Sequence, residues 1–309
     1  MQYRSADMTY PWPTDPPTSA QRAAYADAVT RPFWLDALPQ RGTHPPLSET
    51  TEADLCIVGG GYTGLWAALY AKELDPARDV VVLEATRCGN GASGRNGGFL
   101  MSSLTHGIAN GLTRFPEEMD RLERLGFENF DALARDLERL EIDAEYEPTG
   151  DLLLALEPHE LDDLEADAEL ARRFGHRADV LDAEQTRAQV SSPLFLGALW
   201  THTGAALVHP GKLGDGLRAA AVKAGVRVCE YSPVRDLQRS RTGVSVSTEG
   251  GVVQARRVLL ATSAYPPLVR AIRRYVAPVY DYALMTEPLG PAQREAIGWR
   301  GRQGLGDMA

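Results

Sequence analysis

An α/β fold is predicted by three features of this 309-residue sequence. Short apolar runs typical of strands alternate with longer stretches whose apolar residues recur at helical spacing. A cluster of three glycines separates the first of these strands from the first helix. Hydrophobic content of 44% and charged content of 24% are ordinary for a globular protein, which excludes fibrous and disordered classes. The chain is long enough to bury a sizeable core.

The first 50 residues are rich in proline and predict an extended arm, anchored by aromatic residues such as Trp12 and Trp34. No basic stretch followed by an apolar segment opens the chain, so we expect the cytosol rather than secretion. The longest uncharged run, residues 96–113, is diluted by Gly, Ser, Thr and Asn. We therefore predict no membrane span.

A strand–helix–strand unit follows the arm. Residues 55–58 predict the first strand, residues 62–74 the helix and residues 80–83 the second strand. Glycines at the turn between the first strand and the helix are typical of phosphate-binding sites, because backbone amides at a helix N-terminus attract anions.

Gly59, Gly61 and Gly64 form the motif G-x-G-x-x-G at this turn. Gly59 permits a tight turn, Gly61 lets a pyrophosphate approach the backbone, and Gly64 lets the helix pack closely on the strand. Glu84 stands 20 residues beyond Gly64, where a carboxylate can accept hydrogen bonds from a ribose. These residues predict dinucleotide binding, although the motif alone does not distinguish NAD from FAD.

A second glycine-rich segment, residues 87–99, comes directly after the predicted ribose-binding acid. An NAD dehydrogenase would normally resume a helix here. The segment instead carries Ser93, Arg95 and Asn96 among glycines. Its backbone amides and polar side chains are suited to contacts along a long bound cofactor. A flexible surface loop is the alternative interpretation.

The remaining elements are predicted from periodicity and from capping residues. They are a helix over 116–142, a strand over 152–156, a helix from Pro158 to 174, a short helix capped by Asp182, strands over 197–201 and 205–208, a helix over 211–224 closed by Gly225, hairpin strands over 226–231, 243–248 and 252–254, a buried strand over 257–261, and a last strand over 279–286. Residues 298–309 are predicted to be irregular.

Acidic residues are concentrated in one segment. Residues 116–170 contain 20 acidic residues against four arginines, a net charge of −16, which leaves about +6 for the rest of a chain whose total is −10. This balance argues against a nucleic-acid partner. Solvated helix faces explain most of these carboxylates, and the sharper hypothesis is that the acidic lobe attracts a cationic amine.

Other chemistries have little support. His202 and His209 have no clustered Cys, Asp or Glu, so we predict no metal site and interpret both as structural. Cys56 and Cys229 lie in apolar runs, and Cys88 lacks the surroundings of a reactive thiolate. The odd, widely spaced cysteines argue against disulfide scaffolding, and no G-x-S-x-G nucleophile motif is present.

Three segments together resemble the D-amino-acid oxidase family of FAD-dependent oxidoreductases: residues 53–65, Glu84 and residues 91–98. Within that family the sequence resembles the gamma-glutamylputrescine oxidase branch. The resemblance implies a Rossmann-like FAD-binding domain of the GR2 type with a mixed-sheet α+β substrate domain. It implies an FAD-binding domain over 51–105 and 209–275, a substrate domain over 106–208 and 276–309, and the arm over 1–50.

The resemblance also implies the residues that bind the cofactor. They are Gly59, Gly61, Tyr62, Thr63, Gly64, Glu84, Ala85, Arg87, Ser93, Arg95, Asn96, Gly97, Gly98, Val234 and Thr262. Val234 matches a position whose backbone meets the adenine, and Thr262 lies in a turn beside the cofactor. Arg95 and Asn96 are the candidates near the flavin. Arg95 occupies the position of the histidine that attaches FAD in some relatives, so that linkage is not expected, and no residue is assigned as catalytic acid or base.

The reaction implied is FAD-dependent oxidation of a C–N bond, in which a neutral amine loses hydride from its α-carbon to flavin N5 and the imine is hydrolysed. The substrate is a small amine, with a polyamine derivative, an N-methyl amino acid and a D-amino acid all open, and oxygen or another acceptor takes the electrons. Two alternatives are an NAD-dependent dehydrogenase and a non-catalytic nucleotide-binding module. Because the family ends with a strand, a glycine-rich turn and a helix that this sequence lacks, we expect a fragment.

Overall fold

The computed structural model describes residues 18–23, 26, 32–39, 42–279 and 283–308. The chain divides into two compact units, Met1–Pro32 and Phe33–Ala309. Within the described part of the smaller unit, Ser19–Ala23 forms helix α1. Trp12, one of the two predicted anchors of the arm, lies outside the described residues.

The larger unit contains the following described helices: α2 Phe33–Asp36, α3 Tyr62–Leu74, α4 Ile108–Arg114, α5 Met119–Arg139, α6 Leu161–Arg173, α7 Ala183–Gln189, α8 Pro210–Lys223 and α9 Pro291–Ile297. Its described strands are β1 Thr51–Val58, β2 Val80–Leu83, β3 Phe99–Met101, β4 Asp151–Ala155, β5 Ala178–Asp182, β6 Gly197–Thr201, β7 Ala205–Leu207, β8 Arg227–Cys229, β9 Asp236–Arg239, β10 Val244–Ser247, β11 Val252–Leu260 and β12 Gly304–Asp307. Short 3₁₀ turns occur at Ala92–Gly94, Pro158–Glu160 and Arg270–Tyr275.

The principal sheet has six strands in the order β8-β2-β1-β11-β10-β9. β8, β2, β1 and β11 are parallel, and β10 and β9 add an antiparallel edge. Every residue of β2 is buried, as expected for a parallel strand that is covered on both faces. Helices α3 and α8 pack against one another on this sheet through Leu65, Leu69 and Leu217.

A second, four-stranded sheet has the order β12-β4-β6-β5 and is mixed, because β12 pairs parallel with β4 whereas the other pairs are antiparallel. Helix α6 covers one face through Leu164 and Ala168. A two-stranded ribbon joins β3 to β7. The predicted α/β fold with a second mixed sheet is therefore confirmed, whereas the predicted domain boundaries stay a prediction.

Several local predictions hold in detail. Helix α3 and strands β2 and β6 have the predicted bounds. Asp182 caps α7, because its carboxylate accepts a hydrogen bond of 2.8 Å from the amide of Gln185. Gly225 follows α8 with φ of +86°, the left-handed conformation that commonly ends a helix.

The predicted hairpin is confirmed in part. β10 pairs antiparallel with β11, as predicted for residues 243–248 and 252–254, whereas residues 226–231 do not join them because β8 pairs parallel with β2. β10 also pairs with β9, a strand that the sequence did not predict. The strand predicted over 257–261 is the second half of one long strand, β11. It is not fully buried, since β10 pairs with β11 only as far as Ala255 and leaves Arg256 and Arg257 exposed beside an unpaired edge.

The C-terminal predictions are also corrected. Among the described residues 279 and 283–286 there is no strand, and Val279 and Leu284 are 90% and 88% exposed. The remainder of that predicted strand, residues 280–282, lies outside the described residues. The segment predicted to be irregular contains β12, which is short and glycine-rich and is stabilised by pairing with β4.

Part of the predicted extended arm is helical, at Phe33–Asp36. Trp34 is the anchor that was predicted, since its ring packs edge-on to His209 with centroids 4.9 Å apart. No helix in the described part of the chain combines the length and the apolar character needed to cross a bilayer.

Candidate functional site

A cleft of about 820 Å³ opens at the carboxyl ends of three parallel strands. Val58 of β1, Leu83 of β2 and Leu260 of β11 each end their strand at its wall. Ligands of open α/β sheets bind at this edge. The volume is typical of a pocket for a cofactor-sized molecule.

The glycines of the first turn have the roles that their spacing predicts. Gly59 has φ of +110°, and a Cβ there would overlap the carbonyl oxygen of Ala261. A Cβ on Gly64 would overlap the carbonyl oxygen of Gly59, so the helix can approach the strand only with glycine at this position. Any side chain at either position would push α3 or β11 away from β1.

The N-terminus of α3 faces the cleft. Gly61 caps the helix without a side-chain bond, and Ser93 Oγ accepts a hydrogen bond of 3.0 Å from the amide of Tyr62. The amide of Thr63 has no partner within the described part of the chain. Both Thr63 and Ser93 line the cleft, so a free amide and a hydroxyl proton are available to an anion beside the positive end of the helix dipole.

Glu84 lies on the other side of the turn, at the end of β2. Its Oε2 accepts from the amide of Gly60 at 2.8 Å, and its Oε1 accepts from the amide of Thr86 at 2.9 Å. These bonds hold the half-buried carboxylate at the cleft wall. Oε1 also accepts from the hydroxyl of Thr86 at 3.3 Å. Since a carboxylate has about four lone-pair sites, Glu84 retains about one acceptor site for a hydroxyl group in the cleft.

The second glycine-rich loop is braced by its own side chains. Asn96 Nδ2 donates to the carbonyl oxygens of Ala92 and Ser93 at 3.1 and 2.9 Å, and its Oδ1 accepts from the amide of Gly98 at 2.9 Å. Arg95 Nε donates to the carbonyl oxygen of Asn90 at 2.8 Å. Arg95 and Asn96 both line the cleft, but the bonds of their side chains hold the loop.

Tyr62 joins the first turn to helix α8. Its hydroxyl donates to the carbonyl oxygen of Pro210 at 2.9 Å. Burial raises the pKa of Tyr62 above its usual value, and only a weaker opposing effect comes from Asn96. The phenol therefore stays protonated and serves as a structural donor.

Part of the cleft is lined by residues that are far in the sequence from both glycine-rich segments. Val234 and Thr262 line it together with apolar neighbours such as Pro233 and Leu268. The carbonyl oxygen of Thr262 accepts from the amide of Tyr265 at 3.1 Å, which closes the turn after β11.

The structure brings most of the predicted site residues together. Those that line the cleft are Gly59, Gly61, Tyr62, Thr63, Glu84, Ala85, Ser93, Arg95, Asn96, Val234 and Thr262. Gly64, Arg87, Gly97 and Gly98 do not line it. Arg87 Nε instead donates to the hydroxyl of Tyr231 at 2.7 Å, and Gly98 packs against the carbonyl oxygen of Val208. Contact of any of these residues with a cofactor stays a prediction.

Glu230 supports the cleft and was not predicted. Only 1% of Glu230 is exposed, and its carboxylate accepts from the amides of His44 and Cys88, each at 2.9 Å. These bonds tie the segment after Glu84 to β8 and to the residues before β1. The one available signal was a carboxylate directly after the apolar run that contains β8.

The two histidines and the cysteines have structural surroundings. His202 Nε2 lies 2.8 Å from Asp179 Oδ2, and His209 Nδ1 accepts from the amide of Lys212 at 3.2 Å. Burial lowers the pKa of His209. Burial also raises the pKa of Cys56 to about 12, which makes it an unreactive thiol.

The sequence model of the DAO family, described as FAD dependent oxidoreductase, matches residues 54–307. The chain belongs to this family. Gamma-glutamylputrescine oxidoreductase of Escherichia coli is 40% identical over 223 residues, which cover 71% of this chain and 51% of the relative. A probable oxidoreductase, OrdL, of Haemophilus influenzae is 32% identical over 282 residues, which cover 89% of this chain and 64% of the relative. The chain thus spans about half to two thirds of the length of these DAO-family relatives.

Solved structures show the same fold. The crystal structure of glycine oxidase from Geobacillus kaustophilus matches with a TM-score of 0.58 and 26% identity, covering 69% of this chain and 56% of that one. FAD is the cofactor of the DAO family, and the cleft fits it. A free helix amide, a carboxylate with spare acceptor capacity and glycines that cannot accept a Cβ are what a dinucleotide requires.

Proposed function

We propose that this chain holds FAD for the oxidation of a C–N bond in a small amine or amino acid. The observation that carries the proposal is the convergence of two separate glycine-rich segments, residues 59–64 and 89–96, with Val234 and Thr262 on one cleft. Gly59 and Thr262 are 203 positions apart in the sequence, yet both line this cleft.

In this proposal the residues at the cleft bind different parts of FAD. Gly61, Thr63 and Ser93 bind the pyrophosphate, because they offer backbone amides and a hydroxyl at the positive end of α3. Glu84 accepts from a ribose hydroxyl and disfavours a 2′-phosphate. The apolar wall at Val234 receives the adenine, and Gly64 acts indirectly by holding α3 close to β1.

Bound FAD would supply the hydride acceptor for the reaction. The chain's own residues would bind and orient FAD and the substrate. Arg95 and Asn96 are proposed to lie near the flavin, because they belong to the loop at the cleft wall that their own side chains hold in place. Tyr62 is not a base in this scheme, since its hydroxyl is engaged with Pro210. Oxygen or another acceptor would reoxidise the cofactor, and we place the enzyme in the cytosol.

The names of two relatives favour an amine or amino acid as the substrate class, since one acts on gamma-glutamylputrescine and the other is a glycine oxidase. The acidic helices α5 and α6 would attract a cationic amine. If they do, kcat/KM falls as ionic strength rises, whereas an unchanged kcat/KM between low and high salt removes this part of the proposal.

The cofactor assignment is tested by adding FAD or NAD to the purified chain and removing unbound nucleotide by gel filtration. We expect flavin absorbance to co-elute with the protein in a 1:1 ratio and NAD to be left behind. Retention of NAD with exclusion of FAD would contradict the proposal. Anaerobic addition of candidate amines to the FAD-loaded protein then tests the reaction, because a substrate bleaches the flavin bands.

A further inference from the structure

The segment 229–232, which begins at the last residue of β8, lies alongside residues 84–88. The amide of Glu84 donates to the carbonyl oxygen of Cys229 at 2.9 Å, and the carbonyl oxygen of Glu84 accepts from the amide of Ser232 at 2.8 Å. The amide of Tyr231 donates to the carbonyl oxygen of Thr86 at 2.9 Å. The main chain of Glu84 is therefore held on both its amide and its carbonyl side by a segment that is far away in the sequence.

The backbone of this segment is strained at Tyr231, whose φ of +52° lies in the left-handed region. For a residue with a large side chain this conformation is unfavourable, and it persists where the surrounding structure fixes it. The amide bond to Thr86 does so, and the Tyr231 hydroxyl also accepts from Nε of Arg87 at 2.7 Å. Strained positions of this kind cluster at ligand-binding sites, which directs attention to what the segment holds.

Glu230 adds a side-chain link to the same loop. Its side chain is buried, and its Oε1 accepts from the amide of Cys88 while its Oε2 accepts from the amide of His44, each at 2.9 Å. A buried carboxylate is costly unless hydrogen bonds satisfy it. Here the donors are backbone amides of two separate segments, so one side chain fixes both segments at once.

The loop that Glu230 holds reaches the cofactor cleft. Gly89 follows Cys88 and lines the cleft, and its amide donates to the carbonyl oxygen of Gly60 at 2.9 Å. The carboxylate of Glu84, at the other end of the loop, accepts from the amide of Gly60 at 2.8 Å. Glu230 itself does not line the cleft. Any effect of Glu230 on a bound cofactor must therefore pass through residues 84–89.

We propose that Glu230 is a positioning residue for FAD. By holding the amide of Cys88 it fixes the loop between Glu84 and Gly89, and so fixes the ribose-binding carboxylate relative to the glycine turn that binds the pyrophosphate. The inference rests on the proposed function, because it takes Glu84 as the acceptor for the ribose. Without the buried carboxylate the loop is less ordered before FAD binds, and the cost of ordering it on binding lowers the affinity.

Glu230→Gln in the full 309-residue chain tests this role. Glutamine has one acceptor oxygen and one NH₂ group, so the amide of either Cys88 or His44 must face a donor. We expect the affinity for FAD, measured by flavin fluorescence, to fall about tenfold. The affinity for ADP, measured by competition with FAD, should fall by the same factor, because ADP retains the adenosine and the pyrophosphate that the loop positions.

Glu160→Gln is the matched control. Glu160 is also a buried carboxylate that accepts from two backbone amides, those of Leu156 and Glu157, but it lies beside the second sheet. It should leave both affinities within about twofold, because distant sites act independently. A loss of stability alone would lower the affinity of neither folded variant, so the comparison separates positioning from a general structural role.

Reciprocity supplies a second test in the unaltered chain, which does not depend on Glu230→Gln folding. If the bonds of Glu230 favour FAD binding, FAD must in turn strengthen those bonds. We expect FAD to slow hydrogen exchange at the amide of His44, which does not line the cleft. The slowing should exceed that at the amide of Gln185, which donates to Asp182 beside the second sheet.

The inference is overturned if folded Glu230→Gln binds FAD and ADP as tightly as the unaltered chain does, or if Glu160→Gln loses as much affinity. It is also overturned if FAD slows exchange at His44 no more than at Gln185. Each of these outcomes leaves the proposed function intact, because the unaltered chain still binds FAD. Failure of the unaltered chain to bind FAD would instead overturn the proposed function, and this inference with it.

Discussion

Glu84→Gln is the substitution that tests the cofactor cleft most directly. Each carboxylate oxygen of Glu84 accepts from a different amide, Oε2 from Gly60 and Oε1 from Thr86. Glutamine has one acceptor oxygen and one NH₂ group, so one of these two amides must face a donor. A hydrogen bond to a charged group contributes about 1.5–3 kcal/mol. Because Glu84 is only half-buried, we expect the free energy of unfolding to fall by about 1–2 kcal/mol.

The affinity for FAD should fall as well, and it is measured separately from stability. Loss of the charged acceptor for the ribose is expected to weaken FAD binding about 10- to 100-fold, since each factor of ten corresponds to about 1.4 kcal/mol. Titration with FAD, followed by flavin fluorescence, measures the affinity, and urea denaturation of the chain without FAD measures the stability. Glu52→Gln is the matched control, because Glu52 is exposed on β1 and lies outside the cleft. If Glu84→Gln binds FAD as tightly as the unaltered chain does, Glu84 does not hold the cofactor and the reasoning is refuted.

Three further predictions concern the fold. Asp182→Ala removes the cap of α7 and should lower the free energy of unfolding by about 1 kcal/mol in urea denaturation; an unchanged midpoint would contradict the capping role. Leu217→Ala deletes a fully buried side chain of α8 from the core that α8 shares with α3 and the sheet, and should cost about 2–5 kcal/mol by the same assay. The exposed-site change Leu74→Ala should cost far less. Burial raises the pKa of Asp151 to about 6 from an ordinary 3.8, so the folded state binds more protons between these values and stability falls as pH rises through this window. Asp151→Asn should therefore stabilise the chain at pH 7 and have little effect near pH 4, and equal effects at the two pH values would show that Asp151 is not the cause.

Much of the cofactor site was accessible from the sequence because its signals are local. The turn at Gly59 and the helix that begins at Tyr62 depend on residues within six positions of one another, and Glu84 follows at a spacing fixed by one helix and one strand. The second glycine-rich segment was similarly recognisable as a loop. The placement of Val234 and Thr262 on the same wall came from family resemblance rather than from periodicity.

Other features depend on contacts between distant residues. Strand β8 pairs with β2 and not with the hairpin that follows it, and β12 exists as a strand because β4 lies beside it. The backbone hydrogen bonds of a strand require a partner whose identity periodicity does not encode. For the same reason the burial of Glu230 and its bonds to His44 and Cys88 could not be anticipated.

The α/β class, the glycine turn and the acid that follows it could be predicted from local sequence, because glycine backbone freedom and helical periodicity act over a few neighbouring residues. The neighbours of each strand, the single cleft formed by the two glycine-rich segments and the turn after β11, and the bonds between residues 84–88 and 229–232 depend on how the chain folds in three dimensions. Those features arise from packing between segments that are far apart in the chain, and local periodicity does not encode which segments pack together.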